Sequence, residues 1–319
     1  MHAAVLHALG EAPRYEEFPD PIAADGEVLV EVLAAALKPV DKQMAAGSHY
    51  ASPQKLPAIC GTDGVARLPD GRRVLFGGAR PPYGTMAERA AVRSAFTFPI
   101  PDNLSDEQAA AIANPGVSAW LSLAHRARLA AGDNVLVLGA TGVTGQLATK
   151  IAKLLGAARV VAAGRNREVL AALRQLGADV TIELDAPASE LPERFAHAAG
   201  ESGFQVVIDY VWGAPAEAFL QAVTRKEFAA AESETRYVQV GESAGATISL
   251  AAAVLRSAPI TIMGTAGIAP GNVLVEAIEN VMSHAARAEL RIETERVPLA
   301  EIAAAWQREP KGRRIVVAP

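Results

Sequence analysis

Three glycines, Gly139, Gly142 and Gly145, enclose Ala140, Thr141, Val143 and Thr144 in the segment best suited to chemistry. The segment follows the apolar run Val135, Leu136, Val137, Leu138 and opens into an amphipathic stretch over 146–155. A strand, a glycine turn and a helix in that order offer free N–H groups and a positive dipole end to a dinucleotide pyrophosphate. Gly139 permits the tight turn, Gly142 lets the phosphates approach the backbone, and Gly145 lets the helix pack close to the strand. The spacing is G-x-x-G-x-x-G rather than G-x-G-x-x-G, so the reading rests on context as much as on the motif.

The end of the next strand selects the nucleotide. An NAD site places Asp or Glu there to accept from the ribose 2′-hydroxyl. This chain reads Ala163, Gly164, Arg165, Asn166, Arg167, with no acid. Arg165 can form paired charge-assisted bonds to a 2′-phosphate and Arg167 can add to the field, which predicts NADPH over NADH. Two solvated arginines at a helix start are the plainer alternative.

The elements needed to position these residues are legible around them. From about Ser105 the chain alternates. Ser105, Asp106 and Glu107 begin a helix with an N-cap and an acidic first turn. Residues 114–129 continue helically. Strands are predicted over 134–138, 159–163, 180–183, 205–210, 237–240 and 260–263, with helices over 146–155, 167–176, 190–198 and 215–223. Such alternation predicts an α/β fold with a doubly wound parallel sheet. Residues 225–235 read as irregular surface. A helix over 272–286, a strand over 291–297, a short helix over 299–306 and a strand over 314–317 follow. The first hundred residues read instead as β-rich, with alternation over Glu27 to Val32, recurrent Pro and Gly, and weak helical periodicity.

Composition narrows the function classes. The chain has 319 residues, half of them apolar and a fifth charged, a normal globular balance with room for two cores. A net charge of −5 argues against a nucleic-acid or anionic-membrane partner. The single cysteine, Cys60, excludes an intrachain disulfide framework and a multi-cysteine zinc lobe. No apolar run is long enough to span a bilayer, and Met1 to Val5 lacks a basic leader, so the expectation is a cytoplasmic protein.

Taken in order, several segments resemble one family. They are residues 27–36, the run Leu37, Lys38, Pro39, Val40, Asp41 with Gly47, Leu56 and Pro57 leading to Gly61, Thr62, Asp63, Gly64, Val65, and Asp70 to Val74. Tyr83 to Glu88, residues 114–123, the glycine motif, Val297 to Leu299 and residues 312–317 complete them. The chain resembles a medium-chain dehydrogenase/reductase of the zinc-free quinone oxidoreductase branch. The resemblance implies a GroES-like β-rich catalytic domain from residues 1–113 and 266–319, with a Rossmann NADPH-binding domain over 114–265 inserted. It implies further cofactor contacts at Val211, Gly241, Glu242, Gly264 and Thr265, where strands end, and a weaker one at Arg313. It also implies a homodimer formed by edge-strand pairing at 260–263.

Zinc-dependent relatives hold catalytic zinc with Cys, His and Cys. The matching positions here are Lys38, Thr62 and Asn114, none of them a suitable ligand, so no metal is expected. Hydride transfer to a small acceptor needs a donor or cation near the substrate oxygen, worth about 3–4 kcal/mol where well placed. Lys38 is the first candidate, although relatives often carry Asn there. Tyr50 and Asn114 follow, and Asp41 is placed to pair with Lys38. A polar loop with no catalytic duty is the alternative for Lys38 and Asp41. The expected activity is NADPH-dependent, zinc-independent reduction of a quinone or α,β-unsaturated carbonyl. The alternatives are a 2-enoyl thioester reductase and a non-catalytic NADPH-binding redox sensor.

Overall fold

The computed structural model describes residues 1–224, 234–265 and 269–319, which divide into two compact units. One comprises Met1–Asn114 with Ile278–Pro319, the other Pro115–Ala277.

The first unit is built on the long strand Glu27–Ala36. It pairs antiparallel with Asp63–Arg67, with Arg89–Arg93 and with the C-terminal strand Arg313–Ala318. A register shift between Val32 and Ala34 bends it, which lets one strand serve several neighbours. The apolar alternation read over Glu27 to Val32 matches a half-buried strand. One helix there escaped periodicity. Pro39–Ala46 opens with Pro at its first turn, where the missing N–H costs nothing, and closes on Gly47 at φ 77°. Its buried positions are only Asp41 and Ala45, so it shows no apolar stripe.

In the second unit we label β1 (Asn134–Leu138), α1 (Val143–Leu154), β2 (Arg159–Gly164), α2 (Arg167–Leu173), β3 (Val180–Glu183), α3 (Leu191–Ala199), β4 (Val206–Asp209), α4 (Gly213–Val223), β5 (Thr235–Gln239), α5 (Ala252–Ser257) and β6 (Ile260–Gly264). All neighbouring strands are parallel and their order is β3-β2-β1-β4-β5-β6. That is the doubly wound arrangement whose ligands bind at the strands' carboxyl ends. Val135, Leu136, Val137 and Leu138 are fully buried because helices cover both faces of a parallel sheet. The α/β class expected from the alternation is the one observed.

Boundaries moved where turn residues carry no apolar signal. Helix α1 starts at Val143, inside the glycine motif, not at Gln146. Strand β5 starts at Thr235, correcting the end of the stretch read as irregular; residues 225–233 of that stretch lie outside the described residues. The helix predicted over 114–129 runs as Asp106–Trp120 and then widens into a π-helical segment, Leu121–Arg126. Ser105 caps its start, its Oγ accepting the Gln108 N–H at 3.3 Å.

The glycines of the motif are not equivalent. A Cβ on Gly145 would lie 2.6 Å from the Ala140 Cα and closer still to the Gly139 carbonyl, whereas one on Gly142 would meet only that carbonyl, at 3.4 Å. Gly145→Ala is therefore expected to lower unfolding free energy by about 1–3 kcal/mol, as overpacking does. Gly142→Ala should stay near wild type; equal denaturation midpoints for the two variants would refute this packing.

Candidate functional site

The glycine turn is fastened to β2. Gly139 and Ala140 both donate their N–H to the Ala163 carbonyl, at 2.9 and 2.8 Å. Gly139 sits at φ +84°, which a side chain would resist. Gly142 is the N-cap of α1 and no side chain caps this end, so the first N–H groups of the helix point outward. Thr141 packs against Gly164, where a Cβ would lie 2.8 Å from its Oγ1. Open backbone at Gly142 and an uncapped helix end form a cradle that fits a pyrophosphate.

At the end of β2 the two arginines differ. Arg167 is ion-paired to Glu183 at 2.9 Å. Arg165 is exposed and makes no ion pair among the described residues. Asn166 caps α2, its Oδ1 accepting the Val169 N–H at 3.2 Å. Val211 is buried against Gly139, whose Cβ would lie 2.8 Å from the Val211 Cγ1. Gly241 lies under the Tyr210 carbonyl, 2.8 Å from where its own Cβ would stand. Residues 139–144, Gly164, Val211 and Gly241 are thus gathered at the carboxyl ends of β1, β2, β4 and β5. Glu242 is exposed and its carbonyl accepts from Gly245. Gly264 and Thr265 are exposed at the end of β6, and the Gly264 carbonyl accepts from Arg126 Nε at 2.9 Å.

In the first unit, Lys38 belongs to a buried charge cluster. It is 2% exposed. Its Nζ donates to the Ala36 carbonyl and to Asp63 Oδ1, both at 3.2 Å, and lies 3.5 Å from Asp41 Oδ2. The ammonium thus makes two hydrogen bonds and one longer ion pair. Asp41 Oδ2 also accepts the Lys38 backbone N–H at 2.8 Å, which ties the residue to its helix start, while Asp41 Oδ1 is buried without a partner. Burial, the largest cause, raises the Asp41 carboxyl above its ordinary range against the pull of Lys38. The buried Arg314 donates to the Leu37 carbonyl at 3.2 Å. Burial lowers its guanidinium, and Asp41 and Asp63 pull it back up.

Sequence reasoning paired Lys38 with Asp41 but missed Asp63 and Arg314 as members. Asp63 stood inside the G-T-D-G run, and Arg314 beside the Arg313 that was singled out. Arg313 itself faces Glu293 at 3.5 Å. Tyr50 and Asn114 do not join the cluster. Tyr50 is 91% exposed with its ring on His49, centroids 4.1 Å apart, and Asn114 is exposed within its helix.

The comparisons with known proteins point one way. A family model described as zinc-binding dehydrogenase matches residues 143–282. The crystal structure of a quinone oxidoreductase from Thermus thermophilus, also solved in complex with NADPH, is 31% identical, covers 100% of both chains and superposes with a TM-score of 0.80. This chain belongs to the medium-chain dehydrogenase/reductase superfamily, in its quinone oxidoreductase-like branch. A probable NADPH-dependent quinone reductase of Emericella nidulans is 28% identical to this medium-chain dehydrogenase/reductase over the full length of both. A quinone oxidoreductase-like protein 2 of Bos taurus is 31% identical over 64% of this chain and 54% of its own length.

The matched family's description raises zinc, and the side chains at the matching positions of this medium-chain dehydrogenase/reductase do not fit it. A buried ammonium occupies the first position and would repel a cation. Cys60 lies off the matching positions, buried in the apolar core of its unit, where burial and then Asp41 push its thiol up to about 12. Among the described residues, no group of three or more His, Cys, Asp or Glu side chains is placed to hold a metal ion.

Removing Lys38 leaves a buried carboxylate unpaired. Lys38→Met is expected to cost about 3–5 kcal/mol of stability at neutral pH. A carboxyl whose folded pKa is raised contributes most below its unfolded value and loses that contribution as pH rises through the folded value. The deficit should therefore shrink in acid, read as the difference in melting temperature between variant and wild type across a pH series. A deficit independent of pH would contradict the pairing.

Proposed function

We propose that this chain is an NADPH-dependent reductase that passes hydride to a quinone or an α,β-unsaturated carbonyl compound. One observation carries the reading: an uncapped helix end behind an open glycine turn, with the Arg165 guanidinium, in no ion pair among the described residues, directly after Gly164. The names of the full-length relatives support NADPH as cofactor and a quinone as acceptor. We assign Pro115–Ala277 to cofactor binding and the other unit to the acceptor.

When bound, the reduced nicotinamide supplies the hydride. The N–H groups at the start of α1 hold the pyrophosphate, and Arg165 binds the 2′-phosphate through paired charge-assisted bonds. Arg167, occupied by Glu183, adds field rather than a direct bond. Lys38, Tyr50 and Asn114 remain our candidates for the acceptor's oxygen. Lys38 enters as a fixed charge, because two hydrogen bonds to Ala36 and Asp63 and an ion pair with Asp41 hold its ammonium in place. The exposed Tyr50 phenol and Asn114 amide are free to donate. We take the chemistry to need no zinc; the misfit of the buried Lys38 ammonium to a metal supports this.

The wider setting is part of the same proposal. Strand β6 lies at the sheet edge, and an edge strand invites pairing with a second copy, so we propose a homodimer. No helix among the described residues is long and apolar enough to cross a membrane, and we propose a cytoplasmic setting.

Arg165→Ala should weaken NADPH binding by about tenfold or more while leaving NADH nearly unchanged, since a hydrogen bond to a charged group contributes about 1.5–3 kcal/mol. Unchanged NADPH affinity in fluorescence titration would remove Arg165 from the site. A screen of quinones, alkenals and enoyl thioesters, followed as loss of NADPH absorbance, separates the readings. Turnover on enoyl thioesters alone would favour a 2-enoyl thioester reductase, and saturable NADPH binding with no acceptor would favour a redox sensor.

A further inference from the structure

Asp209, the last residue of β4, is fully buried and has no part in the hydride chemistry above. Its side chain nevertheless collects three donors. Oδ1 accepts the N–H groups of Val211 at 2.7 Å and Trp212 at 2.9 Å, and Oδ2 accepts the Tyr237 hydroxyl at 2.5 Å. Its backbone carbonyl accepts two more, from Val240 at 2.8 Å and Gly241 at 3.1 Å. One residue thereby holds the loops that leave both β4 and β5.

Those loops form part of the proposed cofactor site. Val211 presses on Gly139, the first glycine of the phosphate turn, and the Tyr210 carbonyl covers Gly241. The backbone between them is strained. Trp212 sits at φ 54°, a region that favours glycine, and Gly213 follows at φ 58° with the Ala244 carbonyl against the place of its missing Cβ. Such a conformation persists only where its surroundings over-determine it. Here the fixing contacts are the Asp209 carboxylate on the Trp212 N–H and the Trp212 ring set edge-on to Tyr237, centroids 6.2 Å apart. Tyr237 is itself fully buried and packs on Phe219, so it is a rigid donor.

We infer that Asp209 and Tyr237 are positioning residues for the cofactor: a buried carboxylate and phenol that hold the strained loop from Tyr210 to Gly213 as one wall of the NADPH site. The inference rests on the NADPH reading above. Asp209 touches no reacting atom; it acts through Val211 and Trp212. Loosening it should cost affinity for the nucleotide and leave the hydride step alone.

The test is a comparison of wild type with Tyr237→Phe, Asp209→Asn and Asp209→Ala, each checked for a native circular-dichroism spectrum. NADPH dissociation constants, and kcat and KM for both NADPH and a quinone, are measured for all four. Tyr237→Phe keeps the ring and removes one donor, and should raise the NADPH KM and dissociation constant about threefold. Asp209→Ala should raise them tenfold or more, and Asp209→Asn, which still accepts from both loop N–H groups, should lie close to wild type. In each folded variant kcat at saturating NADPH and the quinone KM should stay within twofold. Equal NADPH affinity in wild type, Tyr237→Phe and whichever Asp209 variants fold would overturn the inference while leaving the NADPH reading intact, as would a fall in kcat with unchanged KM. Wild type that takes up no NADPH would overturn that reading and the inference with it.

Discussion

The carbonyl of Gly139 occupies the space where a side chain on Gly145 would begin. That close approach seats α1 on β1, and most of what the second unit can do depends on it. A helix packed any farther out would not bring its uncapped N-terminus to the carboxyl end of the strand. The turn would then lose its bonds to Ala163, and Gly164 its contact with Thr141. Absence of side chains therefore acts as a positive structural element here. It brings partial positive charge to one point of the sheet, where a phosphate can use it.

Buried charge is handled differently in the two units. The Asp209 carboxylate accepts from its own loop and from Tyr237 of β5; these hydrogen bonds oppose its desolvation, while burial, the largest cause, still raises the carboxyl above its ordinary range. The Lys38 cluster is less completely satisfied. Two cations face two carboxylates, yet Asp41 Oδ1 and Arg314 Nε find no partner. Buried ion pairs of this kind are weak evidence for stability, because desolvation can exceed the attraction. What the cluster does provide is a defined arrangement. Lys38 cannot swing away while hydrogen bonds to Ala36 and Asp63 and the ion pair with Asp41 hold it, and the end of Glu27–Ala36 is fixed with it.

The same constraint sets the chemistry at the position of Lys38. A thiolate or imidazole at the position of Lys38 would be a ligand, whereas an ammonium there brings the positive charge itself and needs compensating carboxylates. Asp41 and Asp63 supply them. The Cys60 thiol, pushed up by burial and by Asp41, packs as a small apolar side chain of the core.

The sequence by itself determined the parallel sheet and the phosphate turn. Strands buried on both faces must be continuous apolar runs, and a turn that phosphates and a neighbouring strand both approach must be glycine, so Val135 to Leu138 and Gly139 to Gly145 are written locally. The lack of an acid after Gly164 was equally visible. Short polar elements were not: Pro39–Ala46 buries too little to show a period, and the start of α1 is hidden in residues that serve the turn. Only the tertiary structure decided which charges meet. Lys38 reaches Asp63 from 25 residues away and Asp209 reaches Tyr237 across 28, and it freed Arg165 while occupying Arg167. Electrostatic partnership depends on distance in space, and neither residue type nor spacing along the chain encodes that distance until the sheets have closed.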